Sequence, residues 1–420
     1  MTPDSRPHLV IVGSGMQAHR EYSFASLVDH CRVSAVLAAE PTWQRRHLAA
    51  HAVADLTDPR AVGAAVATLA RSLPGGPTPS GTGLLTWDET LIGVTAQVAG
   101  ELGLPHLSVA AAARCRDKYL GRTALAEAGL PAPAHRLVTS AEEAERAAGA
   151  IGFPVVVKPR SLAFGIGVTR ADDVGAVRAA FRRTRGTELA NVAAQESWLV
   201  EEFLDGPEIS VDSVVVGGRV ECVLLARKQL AYAPYFEEVG HVVAAFPREP
   251  WAERVRDYVT RAHHALGIDD AVTHAEVRLT AQGPRLVELN GRLSGGFIPW
   301  AGRLATGVDL VRAAADVALG RLPDLVPTRH ATAAIRHVYP PGDAVLNAVD
   351  LTEAARVPGI EGAVALAAPG TRLLLPPRGV IPRIASLLAV GVDAAECSQA
   401  LDKAEQVMAT DLTALTAVPA

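Results

Sequence analysis

The residues with the most evident capacity for chemistry lie between Thr273 and Gly296. This stretch reads as two β-strands joined by the turn Ala-Gln-Gly-Pro at 281–284, with side chains alternating along each strand. Glu276 falls on the first strand. Glu288 and Asn290, two residues apart on the second, share a face. An antiparallel hairpin brings these three oxygen-bearing side chains together. Hard oxygen donors that leave room for water and phosphate oxygens suit Mg2+ better than zinc. Arg292 follows at the next same-face position, where it can meet negative charge. Acidic side chains on a hairpin also occur as a plain solvated face, so the neighbours must decide.

Three further fragments are relevant. Lys118 lies at the start of a helix that runs from about Arg116 to Gly129 and is ended by Leu-Pro-Ala-Pro. A capped helix over 140–150, with Ser140 and Glu143 in capping-box spacing, leads into the apolar strand before Lys158. That lysine is followed by a loop carrying Gly165 and Gly167, where backbone N–H groups can approach phosphate. The spacing is not that of a Walker loop. The strand and connector Glu201-Glu202-Phe203-Leu204 can offer a carbonyl and an N–H to an adenine edge, with Glu208 accepting from ribose hydroxyls.

The elements that position these groups begin with an apolar strand at 8–12, a turn with Gly13 and Gly15, a helix to about 30, and a strand at 33–38 ending near Glu40. Taken literally, this predicts a dinucleotide with Glu40 on a ribose; the alternative is a tight βα turn in a domain free of nucleotide. A helix at 59–72, a turn-rich loop at 74–83, a strand at 84–87, a helix at 90–103 and a strand at 105–109 complete a parallel sheet. Asp88 and Glu89 lie just after a strand, where open α/β sheets place ligands; either a substrate ammonium or a capping role fits them.

The chain of 420 residues can fold into two to four domains. A net charge of −5 gives no basic footprint for nucleic acid. Cys31, Cys115, Cys222 and Cys397 lack CxxC spacing, which reads as reduced thiols and not as a disulfide framework or a zinc site. No apolar run approaches the roughly 20 residues of a membrane helix. The N-terminus lacks the pattern of a signal peptide, so a cytoplasmic protein is expected.

Taken in order, RDKYLGRTALAEAGLPAP, FPVVVKPR with its glycine loop, VEEFLDGPEISVDSVV and HAEVRLTAQGPRLVELNGRLSGG resemble the ATP-grasp superfamily over residues 116–320. The resemblance implies an α/β ATP-grasp fold with an N-terminal Rossmann-like (pre-ATP-grasp) domain at 1–114. An ATP-grasp domain at 115–322 follows, with a mobile lid at about 136–204, and a C-terminal α+β domain at 323–420. The Rossmann-like domain of such proteins normally binds no dinucleotide. The resemblance further implies that Lys118 and Lys158 hold ATP phosphates under the loop of Gly165 and Gly167. Glu201, Glu202, Phe203 and Leu204 would meet adenine and Glu208 the ribose. Glu276, Glu288 and Asn290 would bind Mg2+, with Mn2+ as a substitute. Leu162 and Phe164 are bulkier than the small residues such loops often carry.

Within the superfamily the chain is most similar to L-amino acid ligases that make dipeptides and to relatives in antibiotic pathways. Glu238 and His241 match their substrate-pocket segment, Arg292 and Gly295 the acyl-phosphate end, and Glu89 more loosely an amine contact. The implied activity is ATP-dependent ligation of an amino acid carboxylate to an amine through an acyl phosphate, with Arg292 and Lys158 as catalytic groups. The implied partners are small carboxylates and amines, neither nucleic acid nor membrane, and a second subunit, since many relatives are dimers. The competing readings are a purine-pathway or biotin-carboxylase-like enzyme and a non-catalytic ATP-binding module. The continuation LSGGFIPW, in place of a Val-Glu-His segment, argues against carboxylation. The last hundred residues are expected to be strands and turns with a helix over 393–408, and no chemistry is assigned to them.

Overall fold

The computed structural model describes residues 6–72, 81–189, 192, 194–247 and 250–415. The first region is a parallel sheet of four strands, in the order Ala50–Val53, Arg32–Leu37, His8–Val12, Thr82–Leu85. His8–Val12 is buried along its whole length, as expected of a central parallel strand covered on both faces. The four-residue strand Ala50–Val53, rich in alanine, carries too weak a pattern to be read in advance. Most of the turn-rich segment expected at 74–83 lies outside the described residues. The strand expected at 105–109 does not form. Ser108 instead accepts from the Ala111 N–H and starts the helix Val109–Arg116.

Asp117 ends that helix and caps the next, Lys118–Glu127, by accepting from the N–H groups of Tyr119 and Leu120. It also accepts from Arg160 Nε at 2.6 Å, which ties the helix start to the end of the strand carrying Lys158. That strand, Val155–Pro159, belongs to a four-stranded antiparallel sheet ordered His135–Val138, Trp198–Glu202, Val155–Pro159, Thr169–Ala171. The helices Ala141–Ile151 and Val174–Arg185 cover it. Val138, Ala148, Val155, Val177, Phe181 and Trp198 form a core that belongs to this unit alone.

The largest sheet has eight strands, every neighbouring pair antiparallel. Its order is Gly283–Asn290, Ala271–Thr280, Glu208–Val216, Arg219–Ala231, Glu237–Ala245, Thr332–Val338, Ala385–Gly391, Ile360–Ala365. The sheet therefore runs on into the last hundred residues. ASLLAVG at 385–391, read in sequence as punctuation, is a buried inner strand; its apolar run is that of a strand covered on both faces. The helix Ala394–Val407 packs across this part through Cys397, Leu401 and Ala404. A small sheet of Ala344–Asp350, Arg372–Leu373 and Ala409–Ala414 completes the chain.

Candidate active site

The hairpin forms with a turn of only Ala281 and Gln282, and Gly283 takes φ +103°. Glu276 pairs directly with Glu288, and His274 with Asn290. Two carboxylates directly opposite on a sheet repel one another. Here each is answered by a lysine: Lys228 Nζ lies 3.0 Å from Glu276 Oε2, and Lys118 Nζ lies 3.3 Å from Glu288 Oε1. Burial alone would raise the Glu276 carboxyl; Lys228 and a hydrogen bond from His274 reverse this and hold it at about 2. Asn290 is buried with its amide facing Glu288 Oε1 and Glu89 Oε2; with the nitrogen turned to them it would donate at 3.2 and 3.1 Å. Turned over, the amide would present oxygen in the same direction. Among the described residues no three His, Cys, Asp or Glu side chains are clustered for a metal. The donor set of two carboxylates and an amide oxygen is chemically suited to a Mg2+ ion that brings its own phosphate and water oxygens.

Lys118 and Lys158 are both buried, at 8% and 4% exposure, so neither is a solvated surface lysine. Lys118 Nζ also donates to the Leu162 carbonyl at 3.0 Å, within the glycine loop. Lys158 Nζ stands 2.6 Å from Glu201 Oε2, yet burial outweighs that attraction and lowers its pKa to about 8. Glu201 also takes two hydrogen bonds from Arg122, at 3.1 and 3.2 Å. Burial would raise its carboxyl, but Arg122 and Lys158 hold it at about 2. The Glu201 side chain thus aims Lys158 and leaves any adenine contact to the backbone. Within that backbone, Glu202 N–H donates to Ala134 O and Phe203 N–H to Pro154 O. These two groups are engaged, which moves the expected N–H contact on to Leu204. The Glu202 carboxylate accepts from Ala134 N.

In the glycine loop Phe164, Gly165 and Gly167 all have positive φ, at 61°, 69° and 74°. A Cβ on Gly167 would stand 2.8 Å from Thr184 Oγ1, so glycine is required there for close approach as well as for conformation. The two bulky loop residues part company: Leu162 is buried and Phe164 is 59% exposed. Past the loop, Phe203 stacks with Phe236, with the Arg170 guanidinium 4.4 Å from the Phe203 ring centre.

Glu208 is buried against Lys228 Nζ at 2.6 Å and Arg278 Nε at 2.8 Å. Lys228 also reaches Glu238 Oε1 at 2.6 Å. Strict alternation would put Glu238 and His241 on opposite faces of their strand. They meet because the pairing jumps from Leu230↔Glu238 to Gln229↔Gly240, leaving Val239 as a bulge. The bulge brings His241 Nε2 to 3.6 Å from Glu238 Oε2. His241 is buried, and neither of its ring nitrogens has a hydrogen-bond partner in the structure. His337, from the C-terminal part of the sheet, packs edge-on against it at 5.8 Å.

Arg292 Nε lies 2.5 Å from Glu89 Oε2, and Arg116 Nη1 lies 2.9 Å from Glu89 Oε1. Burial would raise the Glu89 carboxyl, but Arg292 and Arg116 lower it. Each oxygen of Glu89 thus accepts from a guanidinium, and a substrate amine would have to share them. Glu89 serves here to orient Arg292. Gly295 is exposed beside it, with nothing within 4 Å of where a Cβ would stand.

Sequence reasoning missed Lys228, Arg122, Arg116, Asp212, His274 and Arg278. Asp212 and His274 occupy opposed positions on neighbouring strands, 2.6 Å apart at Oδ1 and Nδ1, and Ser294 Oγ donates to Asp212 Oδ2 at 2.5 Å. A charged residue inside an apolar strand was the available signal for Asp212 and Lys228. In the first region, by contrast, the Gly13–Gly15 turn is closed: Trp87 Nε1 donates to Ser14 O, Gln44 Nε2 donates to Ser14 Oγ, and a Cβ on Gly13 would stand 2.6 Å from Leu91. Glu40 pairs with His51 and Arg45 at the surface. All four cysteines are buried and free. No helix among the described residues is long and apolar enough to cross a membrane.

Residues 151–299 match the family described as the ATP-grasp domain. Carnosine synthase 1 of Homo sapiens is 33% identical over 262 residues, which are 58% of this chain and 31% of that protein. The alanine–anticapsin ligase of Bacillus subtilis strain 168 is 27% identical over 281 residues, 61% of this chain and 59% of that one. The matched regions thus span less than two thirds of either relative. The crystal structure of an L-amino acid ligase from Bacillus licheniformis superposes with a TM-score of 0.81 at 21% identity, covering 97% of this chain and 99% of that one. The chain carries an ATP-grasp domain within an ATP-grasp fold.

Proposed function

We propose that the protein is an ATP-dependent ligase that joins the carboxylate of an amino acid, or of a similar small acid, to an amine through an acyl phosphate, releasing ADP and phosphate. The observation that carries this reading is the cross-strand pair Glu276 and Glu288, with Lys228 on the first carboxylate, Lys118 on the second and Arg292 four residues beyond Glu288. Two anions, a carboxylate and a terminal phosphate, must meet there, and the surrounding cations lower the cost of bringing them together.

Glu276, Glu288 and Asn290 would hold Mg2+, which when bound neutralises phosphate charge and polarises the transferred group. Lys158, aimed by Glu201, and Lys118, anchored on the glycine loop, are placed to bind phosphate oxygens. The Leu204 N–H and the neighbouring carbonyls would read adenine, beside the Phe203–Phe236 stack, and Glu208 would accept from the ribose. Arg292, held by Glu89, would stabilise the acyl-phosphate end next to Gly295. Glu238 and His241 would border the amino acid. The sheet carrying Lys158 has its own core and so can move as a lid that keeps water from the acyl phosphate. The similarity to carnosine synthase and to the alanine–anticapsin ligase supports an amino acid as one substrate, in specialised metabolism.

The test is release of ADP and phosphate with a panel of amino acid pairs, with products read by mass spectrometry. Amine-dependent turnover and a condensed product are expected. ATP binding with no turnover for any pair would leave a non-catalytic nucleotide-binding module.

A further inference from the structure

Lys228 belongs to none of the groups assigned above, yet its ammonium is shared by three of them. Its Nζ stands 2.6 Å from Glu208, 2.6 Å from Glu238 and 3.0 Å from Glu276, and its side chain is 3% exposed. Those carboxylates lie on different strands and serve different ends of the proposed reaction: the ribose, the amino acid and the metal. Beyond Glu276 the chain of contacts continues. His274 Nε2 is 3.5 Å from Glu276 Oε1, His274 Nδ1 is 2.6 Å from Asp212, and Asp212 accepts from Ser294, next to Gly295. On the other side Arg278 closes on Glu208.

We infer that Lys228 is a positioning residue that couples the nucleotide and amino acid subsites. The inference rests on the ligase reading above. The ammonium has three N–H donors, one for each carboxylate, so a change at any one carboxylate frees a donor and redistributes the hydrogen bonds to the other two. Removing a buried cation that three anions share leaves those anions uncompensated, and their side chains shift apart. Glu276 and Glu208 would then lose the geometry that metal and ribose require. A merely structural lysine would affect stability and leave the subsites independent.

The experiment uses the full chain and isothermal titration with ADP or 2′-deoxy-ADP in the presence of Mg2+. Four proteins are compared: the native one, Lys228→Met, Lys228→Arg and Glu238→Gln. Lys228→Met is expected to weaken Mg-ADP about tenfold or more and to reduce the preference for ADP over 2′-deoxy-ADP; Lys228→Arg, which keeps the charge but not the compact ammonium, should fall between Lys228→Met and the native protein. Glu238→Gln, a change outside the nucleotide contacts, is expected to tighten Mg-ADP about threefold by leaving Lys228 to the other two carboxylates. That effect should vanish in the Lys228→Met background, as a double-mutant cycle would show. Native affinity and nucleotide preference in a folded Lys228→Met protein would overturn the inference. Where Lys228→Met does not fold, an unchanged Mg-ADP affinity in Glu238→Gln would overturn it. Failure of the native protein to bind Mg-ADP would instead remove the ligase reading.

Discussion

Glu276 and Glu288 face one another across the hairpin, and each is met by a lysine from a different part of the chain, Lys228 for the first and Lys118 for the second. Like charges are brought together at a cost that the two lysines offset. On the proposed reading a divalent ion would replace the charge that Lys118 supplies when that lysine turns to phosphate.

Glu288→Ala should therefore abolish turnover while leaving the fold intact. Loss of one hard ligand should cost at least about 100-fold in kcat, the scale on which single electrostatic groups contribute. The check is ADP release at saturating Mg2+, with circular dichroism to confirm folding. Unchanged turnover would remove the metal assignment.

Lys158, lowered to about 8 by burial, sets an alkaline limit on nucleotide binding. Below that pH it is an ammonium that can meet phosphate; above it the charge is lost. The Kd for Mg-ADP should rise about tenfold from pH 7 to pH 9, as one required proton leaves the free protein. Lys158→Arg, which keeps its charge, should flatten that rise. A native profile as flat as that of the arginine variant would count against a phosphate role for Lys158.

The Val239 bulge gives a test of the amino acid subsite that leaves its polar side chains in the chain. Inserting one residue between Gln229 and Leu230 gives Val239 a partner, restores simple alternation and turns Glu238 and His241 to opposite faces. Amine-dependent turnover should fall on the order of 100-fold, as expected for a misplaced positioning group. Mg-ADP affinity should stay within a few-fold. Wild-type kcat/KM for every amino acid would refute a shared role for the two residues.

Trp198 packs edge-on against Phe181 at 5.2 Å in the core of the lid sheet. Trp198→Ala should cost that unit about 3–5 kcal/mol. Because its core is separate, hydrogen exchange should speed up over 135–202 and remain slow in the strand Glu208–Val216. Uniform loosening of both would show that the two sheets unfold as one.

The hairpin, Lys118, Lys158 and the glycine loop were legible because each has a local signature: alternation, a cation at an element end, glycines; Glu238 and His241 were singled out only through the family resemblance. Lys228 and Arg122 were not legible. A charged residue within a strand shows its purpose only once the partner strands are known, and the carboxylates met by Lys228 lie 10, 20 and 48 positions away along the chain. The direction of Glu238 relative to His241 was hidden for a related reason. The bulge that turns them together is a property of pairing with the strand Arg219–Ala231, not of the segment itself. Glu89 was found by its place after a strand, but its two arginine partners, Arg116 and Arg292, come from distant turns of the fold.

The most direct test of the central claim follows oxygen. The protein is incubated with ATP, Mg2+ and amino acids carrying 18O in their carboxyl groups, and the released phosphate is analysed by mass spectrometry. Transfer of the terminal phosphoryl group to the carboxylate, followed by attack of an amine, predicts that each phosphate carries one 18O atom. Amine-dependent release of ADP with unlabelled phosphate would contradict the account.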